Sequence, residues 1–422
     1  MASKAQIKIA VIGEGPRGQG LTSLLAEMPD VDIMAVCDLY EDRVKTAQEL
    51  VVKAGKPEPK GFTDYKKVLK LKGLQAIITP SSWQSHVQIC IDAMEAGLYV
   101  GTEVGGAYSI QQCWDLVHTS ERTGMPCMLL ENCCYGREEL TILRMIRKGL
   151  FGEVVHAEGG NRHDLRDEIC LGAENRHYRL NNFKHRNAEL YPTHELGPIA
   201  KYFNINRGNR MLTLTSTASK SVGLTEWAEE NKKKHPAAVG GRFAAGDVVT
   251  TVIKCAQGQT IVLYHDCSLY RPYSRCNLLQ GTKGIWMEDK HSVAITALQE
   301  KPEEGKPAPH ATWKNLDELW DKYEHPLWAK FRKACVTGGH GGMDYLVLRA
   351  FLCAVRDKTQ TPIDVYDSAA WMSISILSEE SIAMGSHPVA VPDFTNGKWI
   401  DPRPVVKGCY CLDEDVPIRT LG

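Results

Sequence analysis

The stretch Ile7–Gly20, IKIAVIGEGPRGQG, decides the fold. A run rich in β-branched residues enters Gly13, Gly15 and Gly18, the G-x-G-x-x-G spacing of a dinucleotide-binding turn. Gly13 permits the tight strand-to-helix turn, Gly15 lets backbone approach a pyrophosphate, and Gly18 lets the helix pack close to the strand. The phosphates then sit on a helix N-terminus, where unpaired N–H groups and the macrodipole favour negative charge. Pro16 and Arg17 lie inside the same turn and join the glycines as cofactor-binding candidates.

Outward from the turn, helical spacing over 17–28 leads to a second strand over 32–37 that ends in Asp38, 20 residues after Gly18. An acidic residue at that place accepts hydrogen bonds from a ribose 2′-OH and repels a 2′-phosphate, so the expected cofactor is NAD rather than NADP. The β-α pattern continues to about Glu131, with strands expected at 75–79, 99–102 and 127–130 and helices at 41–54 and 87–96. This alternation predicts a doubly wound parallel sheet, a Rossmann domain over residues 1–132.

From 133 to 422 the texture changes. A helix is expected over 138–148, then strands at 153–160, 212–218, 247–255, 260–266 and 284–288, several without intervening helices. Consecutive strands read as antiparallel hairpins, so the C-terminal α/β domain is expected to rest on a predominantly antiparallel open sheet. Helices at 345–355 and 368–384 close the chain. Two polar stretches, 226–235 with its three lysines and 300–310, read as exposed loops or solvated helix ends.

At 422 residues two domains are the natural expectation. With 50 basic and 51 acidic residues, no nucleic-acid or acidic-membrane partner is indicated. No apolar run reaches the roughly 20 residues that span a bilayer, and MASKAQ lacks a secretion signal's apolar core, so the expected compartment is the cytoplasm. The 14 cysteines are scattered without metal-ligand spacing, and they read as reduced, buried hydrophobes with no metal site.

Chemistry-bearing residues gather at expected strand ends. LYVGTEVGGA places Glu103 at the carboxyl edge of the sheet, SSWQSH places Ser82, Trp83 and His86 at the end of the fourth strand, and ENCCY places Asn132 after the sixth, all as cofactor-binding candidates. Tyr191 and His194 are three apart; at a helix start that spacing puts both on one face, as a pair able to pass protons. In GGHGGMDY, Gly341 and Gly342 permit close backbone approach beside His340, while Asp344 reads either as a helix cap or as a site residue.

The glycine turn, the strand ending in Asp38 and the Glu-containing segment after the fifth strand resemble the Gfo/Idh/MocA oxidoreductases. Most dehydrogenases of that family carry Glu-Lys-Pro where this chain has Glu103-Val104-Gly105. YPTHELGP from Tyr191, then INRGNR, RPYSR, GGHGGMDY and VYDSAAW, resemble glycoside hydrolase family 109, the NAD-dependent α-N-acetylgalactosaminidase group, along nearly the whole chain. The resemblance implies a glycosidase that recycles bound NAD through oxidation at sugar C3, deprotonation at C2, elimination of the aglycone, water addition and reduction at C3. It implies that Tyr191, His194 and His163 are catalytic, with His194 at the C3 hydroxyl and Tyr191 near C2, roles open to exchange. It implies that Arg179, Tyr273, Glu103 and His340 meet the sugar, and that Asn161 stands where the family tends to have a tyrosine. The implied partner is a small glycoside, and the implied assembly a homo-oligomer. An NAD-dependent sugar dehydrogenase is the alternative enzyme, and a non-catalytic sugar or NAD sensor the third class.

Overall fold

The computed structural model describes residues 6–300, 310–333, 338–401, 408 and 410–413. The chain forms two compact units, and the first is not contiguous. It takes in Met1–Tyr135 together with Cys335–Ser373 and Val406–Leu412, while the second holds Gly136–Ala334, Ile374–Val405 and Asp413–Gly422. The domain expected as continuous over 133–422 is therefore divided, because a helix far along the chain buries its apolar face in the first unit: Leu348, Phe351 and Leu352 are fully buried there.

The first unit is a parallel sheet of β1 (Ile7–Ile12), β2 (Val31–Cys37), β3 (Lys60–Phe62), β4 (Ala76–Thr79), β5 (Tyr99–Thr102) and β6 (Cys127–Leu129), in the order β3-β2-β1-β4-β5-β6. Ile9 pairs with Ile33 on one side and Ala76 on the other. β4 and β6 are buried at every residue, as strands covered on both faces must be. Around the sheet lie α1 (Pro16–Ala26), α2 (Glu41–Lys53), α3 (Trp83–Glu95) and α4 (Ile110–Thr123). The strand order reverses between β1 and β4, which opens a crevice at their carboxyl ends.

The second unit begins with α5 (Arg137–Arg147) and β7 (Val154–Arg162), followed by α6 (Arg179–His185), α7 (Thr193–Tyr202), β8 (Met211–Ala218) and α8 (Gly223–Glu230). The strands β9 (Val249–Cys255), β10 (Thr260–Asp266), β11 (Leu278–Gly281), β12 (Gly284–Met287), β13 (Ser292–Ile295), β14 (Lys314–Asn315) and β15 (Val389–Ala390) complete a nine-stranded sheet. Its order is β14-β13-β12-β11-β7-β10-β9-β8-β15. The hairpin pairings are antiparallel as expected, but β7 and β10 run parallel from His156–Thr260 to Arg162–Asp266. Local turn signals do not report this pairing, since it joins strands separated by intervening helices. The stretch 226–235 is part helix and part turn. The expected loop at 300–310 falls largely outside the described residues. Later come α9 (Met343–Asp357) in the first unit and α10 (Val365–Ala383), whose residues divide between the units.

One glycine fixes where α7 lies. A Cβ on Gly159 of β7 would stand 2.6 Å from the Glu195 Cβ and 3.3 Å from Ile199 Cδ1, so only glycine lets α7 rest this close to the sheet. A separate apolar cluster including Leu180, Phe183, Leu190 and Cys267 anchors α6 and the segment leading to α7.

Candidate functional site

The first unit supplies a nucleotide cradle. Gly13 has φ +110°, and a Cβ there would stand 2.6 Å from the Ser81 backbone. A Cβ on Gly18 would collide with the Gly13 carbonyl oxygen. Helix α1 starts at Pro16 with no side-chain cap and no acidic residue in its first turn, which suits the dipole end to an anion. Asp38 is buried; its Oδ2 accepts from the Glu14 N–H at 2.8 Å and its Oδ1 from the Tyr40 N–H at 3.1 Å. Each oxygen keeps a lone pair for ribose hydroxyls. These residues fit NAD, by the close packing at Gly13 and Gly18 and by the uncapped helix start.

Glu14, the residue between the first two glycines, is fully buried. Its Oε1 accepts from Thr22 Oγ1 at 2.9 Å, and its Oε2 is among the buried atoms without a partner. Burial, with Asp38 adding to it, pushes this carboxyl up to about 8 against the pull of the Thr22 hydrogen bond.

Beside the turn, Arg17 donates from Nε and Nη2 to Glu103 Oε1 at 3.0 and 2.7 Å, and from Nη1 and Nη2 to Asp344 at 2.6 and 3.0 Å. Asn132 Nδ2 donates to Asp344 Oδ1 at 2.7 Å, and His340 Nδ1 lies 2.8 Å from Asp344 Oδ2. Burial alone would raise the Asp344 carboxyl, yet hydrogen bonds from His340 and Arg17 hold it well below the usual carboxylate range. Four expected site residues, Arg17, Glu103, Asn132 and His340, are thus brought together by a fifth. Asp344 is not the cap of α9, which is Gly342; it lies in the first turn.

Ser82, Trp83 and His86 differ from expectation in position. Ser82 is the N-cap of α3, its hydroxyl 3.3 Å from that of Ser85, while Trp83 and His86 lie inside the first turn of the helix. The His86 ring is buried between the carbonyl oxygens of Ser81 at 2.7 Å and Gly105 at 3.4 Å, and burial lowers its basicity. The neutral ring has one N–H, which the shorter distance assigns to the Ser81 carbonyl, and the ring packs closely against Gly106 in the loop at 105–106. Trp83 packs on Gly105, whose φ of +82° a proline cannot adopt, and Val104 before it is buried. The Glu-Lys-Pro sequence of the dehydrogenases would put a charge at a buried position and a proline in a forbidden conformation.

The second unit holds Tyr191, His194, Arg179 and His163. Tyr191 lies just before α7, two residues short of the helix start expected for it, and Pro192 is the N-cap. Its ring nonetheless meets that of His194 edge to face, with centroids 4.9 Å apart at 81°. The Arg179 guanidinium lies 5.3 Å from the Tyr191 ring centroid, and its Nε is 3.1 Å from Glu168 Oε1. Burial by itself would lower the Arg179 pKa, but Tyr178, Glu168 and Tyr191 around it raise it above its ordinary value. His163 follows β7; its N–H donates to Asp266 O at 3.1 Å, and its ring meets the half-exposed Tyr273 edge to face at 5.1 Å. Burial lowers the His163 pKa, with Arg179 adding to the effect against Glu168 and Asp164.

Three residues escaped the sequence reading here. Glu168, within 3.6 Å of His177 as well, anchors Arg179. Glu189 is buried and accepts from the Tyr191 N–H at 3.2 Å; burial holds its carboxyl well above the carboxylate range, against that hydrogen bond. Glu195 is buried on α7. Glu189 and Glu195 bracket the YPTH motif, ELYPTHE, a signal that was available. Arg271 and Arg275, beside Tyr273, are ion-paired with Asp266 and with Glu139 and Glu288.

Fold and cradle together define the class: an enzyme with an NAD-binding Rossmann unit of the Gfo/Idh/MocA kind. Residues 7–130 match the oxidoreductase family profile described as an NAD-binding Rossmann fold, and residues 135–401 match the C-terminal domain of glycosyl hydrolase 109. A glycosyl hydrolase family 109 protein of Stenotrophomonas maltophilia is 40% identical, covering 95% of this chain and 91% of its own length. An α-N-acetylgalactosaminidase of Tannerella forsythia is also 40% identical, with 95% and 89% covered. A levoglucosan dehydrogenase solved with NADH superimposes with a TM-score of 0.68 at 15% identity, covering 92% of this chain and 100% of that one, a likeness of fold alone. The chain belongs to glycosyl hydrolase family 109, a glycosidase family on an NAD-binding fold. Among the described residues no helix is long and apolar enough to cross a membrane.

Proposed function

We propose that this enzyme cleaves α-N-acetylgalactosaminides or closely related glycosides, with NAD kept and returned to its starting state in every turnover. The observation that carries the reading is the Tyr191–His194 ring pair, edge to face at 4.9 Å with Arg179 over the tyrosine. Bound NAD supplies the acceptance of a hydride from sugar C3 and its return. His194 takes the C3 hydroxyl proton as that carbon is oxidised and gives it back at the end. Tyr191 serves the C2 proton, whose acidity the adjacent ketone raises; the two roles are open to exchange. The Arg179 cation favours the negative charge that a phenol oxygen takes up when it gives its proton. His163, neutral in its partly buried setting, hydrogen-bonds the sugar, and Tyr273 offers it an aromatic surface. Glu103 and Asn132 position cofactor and sugar, and His340 meets the sugar from its glycine-rich turn.

The buried Val104 speaks against the sugar dehydrogenase alternative, since no lysine stands where those enzymes move their hydroxyl proton. The reading places the enzyme in the cytoplasm as a homo-oligomer acting on short imported glycosides, which cell fractionation and light scattering test directly. For the chemistry, purified protein in D₂O is given an aryl α-N-acetylgalactosaminide. Cleavage with deuterium at C2 of the product and no net NADH is expected. Cleavage without deuterium sinks the elimination route, and steady NADH formation from free sugar establishes the dehydrogenase.

A further inference from the structure

Asp344 has no role in the function just described, yet it organises the nucleotide cradle. Its two carboxylate oxygens accept from Arg17 Nη1 and Nη2, Asn132 Nδ2 and His340 Nδ1, at 2.6, 3.0, 2.7 and 2.8 Å. An ionised carboxylate only accepts hydrogen bonds, so the Asn132 amide must turn its NH₂ toward Asp344. The amide oxygen consequently points the other way. Asn132 is 3% exposed, and its Oδ1 is buried without a hydrogen-bond partner. A buried acceptor left in this state calls for a donor from outside the protein.

Its surroundings indicate which donor. Asn132 opens the turn that begins three residues after β6, at the carboxyl edge where doubly wound folds bind their ligands. Through Asp344 it is tied to Arg17, in the turn that receives the pyrophosphate. NAD presents N–H donors at two places, the adenine amino group and the nicotinamide carboxamide. Asp38, placed for the adenosine ribose, follows β2, whereas Asn132 follows β6 on the other side of β1, so the donor at this end is the carboxamide. We propose that Asp344 is a positioning residue that fixes the Asn132 amide so that its oxygen accepts from the carboxamide N–H of the nicotinamide. This inference rests on NAD being the cofactor. It makes the cradle selective for a donor at that end of the ligand, separately from the phosphate grip of the glycine turn.

The test compares NAD⁺ with its 3-acetylpyridine analogue, which has a methyl ketone in place of the carboxamide and no N–H there. Dissociation constants are measured on full-length protein freed of nucleotide, for wild type and Asp344→Asn. Wild type is expected to prefer NAD⁺ by about tenfold, the worth of one well-made hydrogen bond. Asparagine at 344 can present either amide end, so Asn132 loses its fixed orientation and the preference should fall below about twofold, chiefly through weaker NAD⁺ binding. Equal weakening of both ligands means a purely structural role and overturns the proposal, as does an unchanged preference. If Asp344→Asn does not fold, Asn132→Ala is put through the same comparison, and retention of the preference there overturns it. Failure of wild type to bind either nucleotide would instead remove the NAD reading itself, so the two failures are told apart.

Discussion

Replacing Gly159 with alanine adds a single methyl group at the place where α7 rests on β7. That methyl would stand 2.6 Å from the Glu195 Cβ, 3.0 Å from Asn277 Oδ1 and 3.3 Å from Ile199 Cδ1. Carbon atoms in contact settle at about 3.5–4.0 Å, so the helix must retreat by roughly 1 Å. The nearest obstacle is the first carbon of a buried side chain, which cannot swing aside as a flexible tip does. Overpacking of this kind costs about 1–3 kcal/mol. For a unit of this size about 2 kcal/mol corresponds to a fall in Tm of roughly 4–8 °C. His194 lies in the first turn of the displaced helix and Tyr191 outside it, so the shift also spoils the pair's geometry. A misplacement near 1 Å can lower kcat by about 100-fold. The glycine turn belongs to the first unit, so retention of NAD should be unchanged. Thermal unfolding, aryl glycoside turnover and bound-nucleotide absorbance measure the three effects. A Tm within about 1 °C of wild type, together with kcat within about twofold, would refute the claim that this glycine sets the height of α7.

Three further outcomes are expected. His194→Ala and Tyr191→Phe should each reduce turnover by about 10²–10⁴-fold with NAD still bound, the variant acting at C2 also losing deuterium exchange there; full activity in either removes it from the mechanism. Asp38→Ser should weaken NAD binding by about tenfold or more and narrow the margin over NADP, since it removes both the charge that repels a 2′-phosphate and the anchor of the Glu14 N–H; competition binding of the two nucleotides decides this. Glu14 has its pKa raised in the fold, from 4.5 to about 8, so the stability it allows is full below pH 4.5 and is lost as pH rises toward 8. Glu14→Gln, which keeps the neutral shape, should match wild type at low pH and gain a Tm advantage that grows across that window and levels off above it. A difference independent of pH would show that the carboxyl ionises freely.

Much of the fold was legible because it was written locally. Gly13 and Gly18 occupy places where any side chain would strike backbone, so their spacing carried the turn, its helix and the strand ending at Asp38. The parallel β7–β10 pair was illegible for the opposite reason: alternation and turn residues report neighbours in sequence, and this partnership is long-range. Trp83 and His86 were assigned to a strand end because the helix was expected to begin only at Val87, whereas Ser82 already caps it. The closeness of the Tyr191 and His194 rings was expected from their spacing, although the geometry that joins them has Tyr191 outside the helix. Asp344 could not be weighed from sequence, because its partners Arg17 and Asn132 lie more than two hundred residues away and a helix cap explains an aspartate there equally well.

The parallel pairing of β7 with β10 also bears on how the enzyme is made. His156 and Thr260, which begin that register, are 104 positions apart, and the backbone bond that holds His163 in place depends on Asp266 at the far end of the same ladder. Joining such distant segments means closing a long loop before any contact repays the lost entropy, which makes this step slow compared with forming neighbouring hairpins. During synthesis, β7 must wait until more than a hundred further residues have been added before its partner exists. The end of the sheet that leads into His163 is therefore among the last parts to mature, and through that interval an unpaired strand edge is open to aggregation.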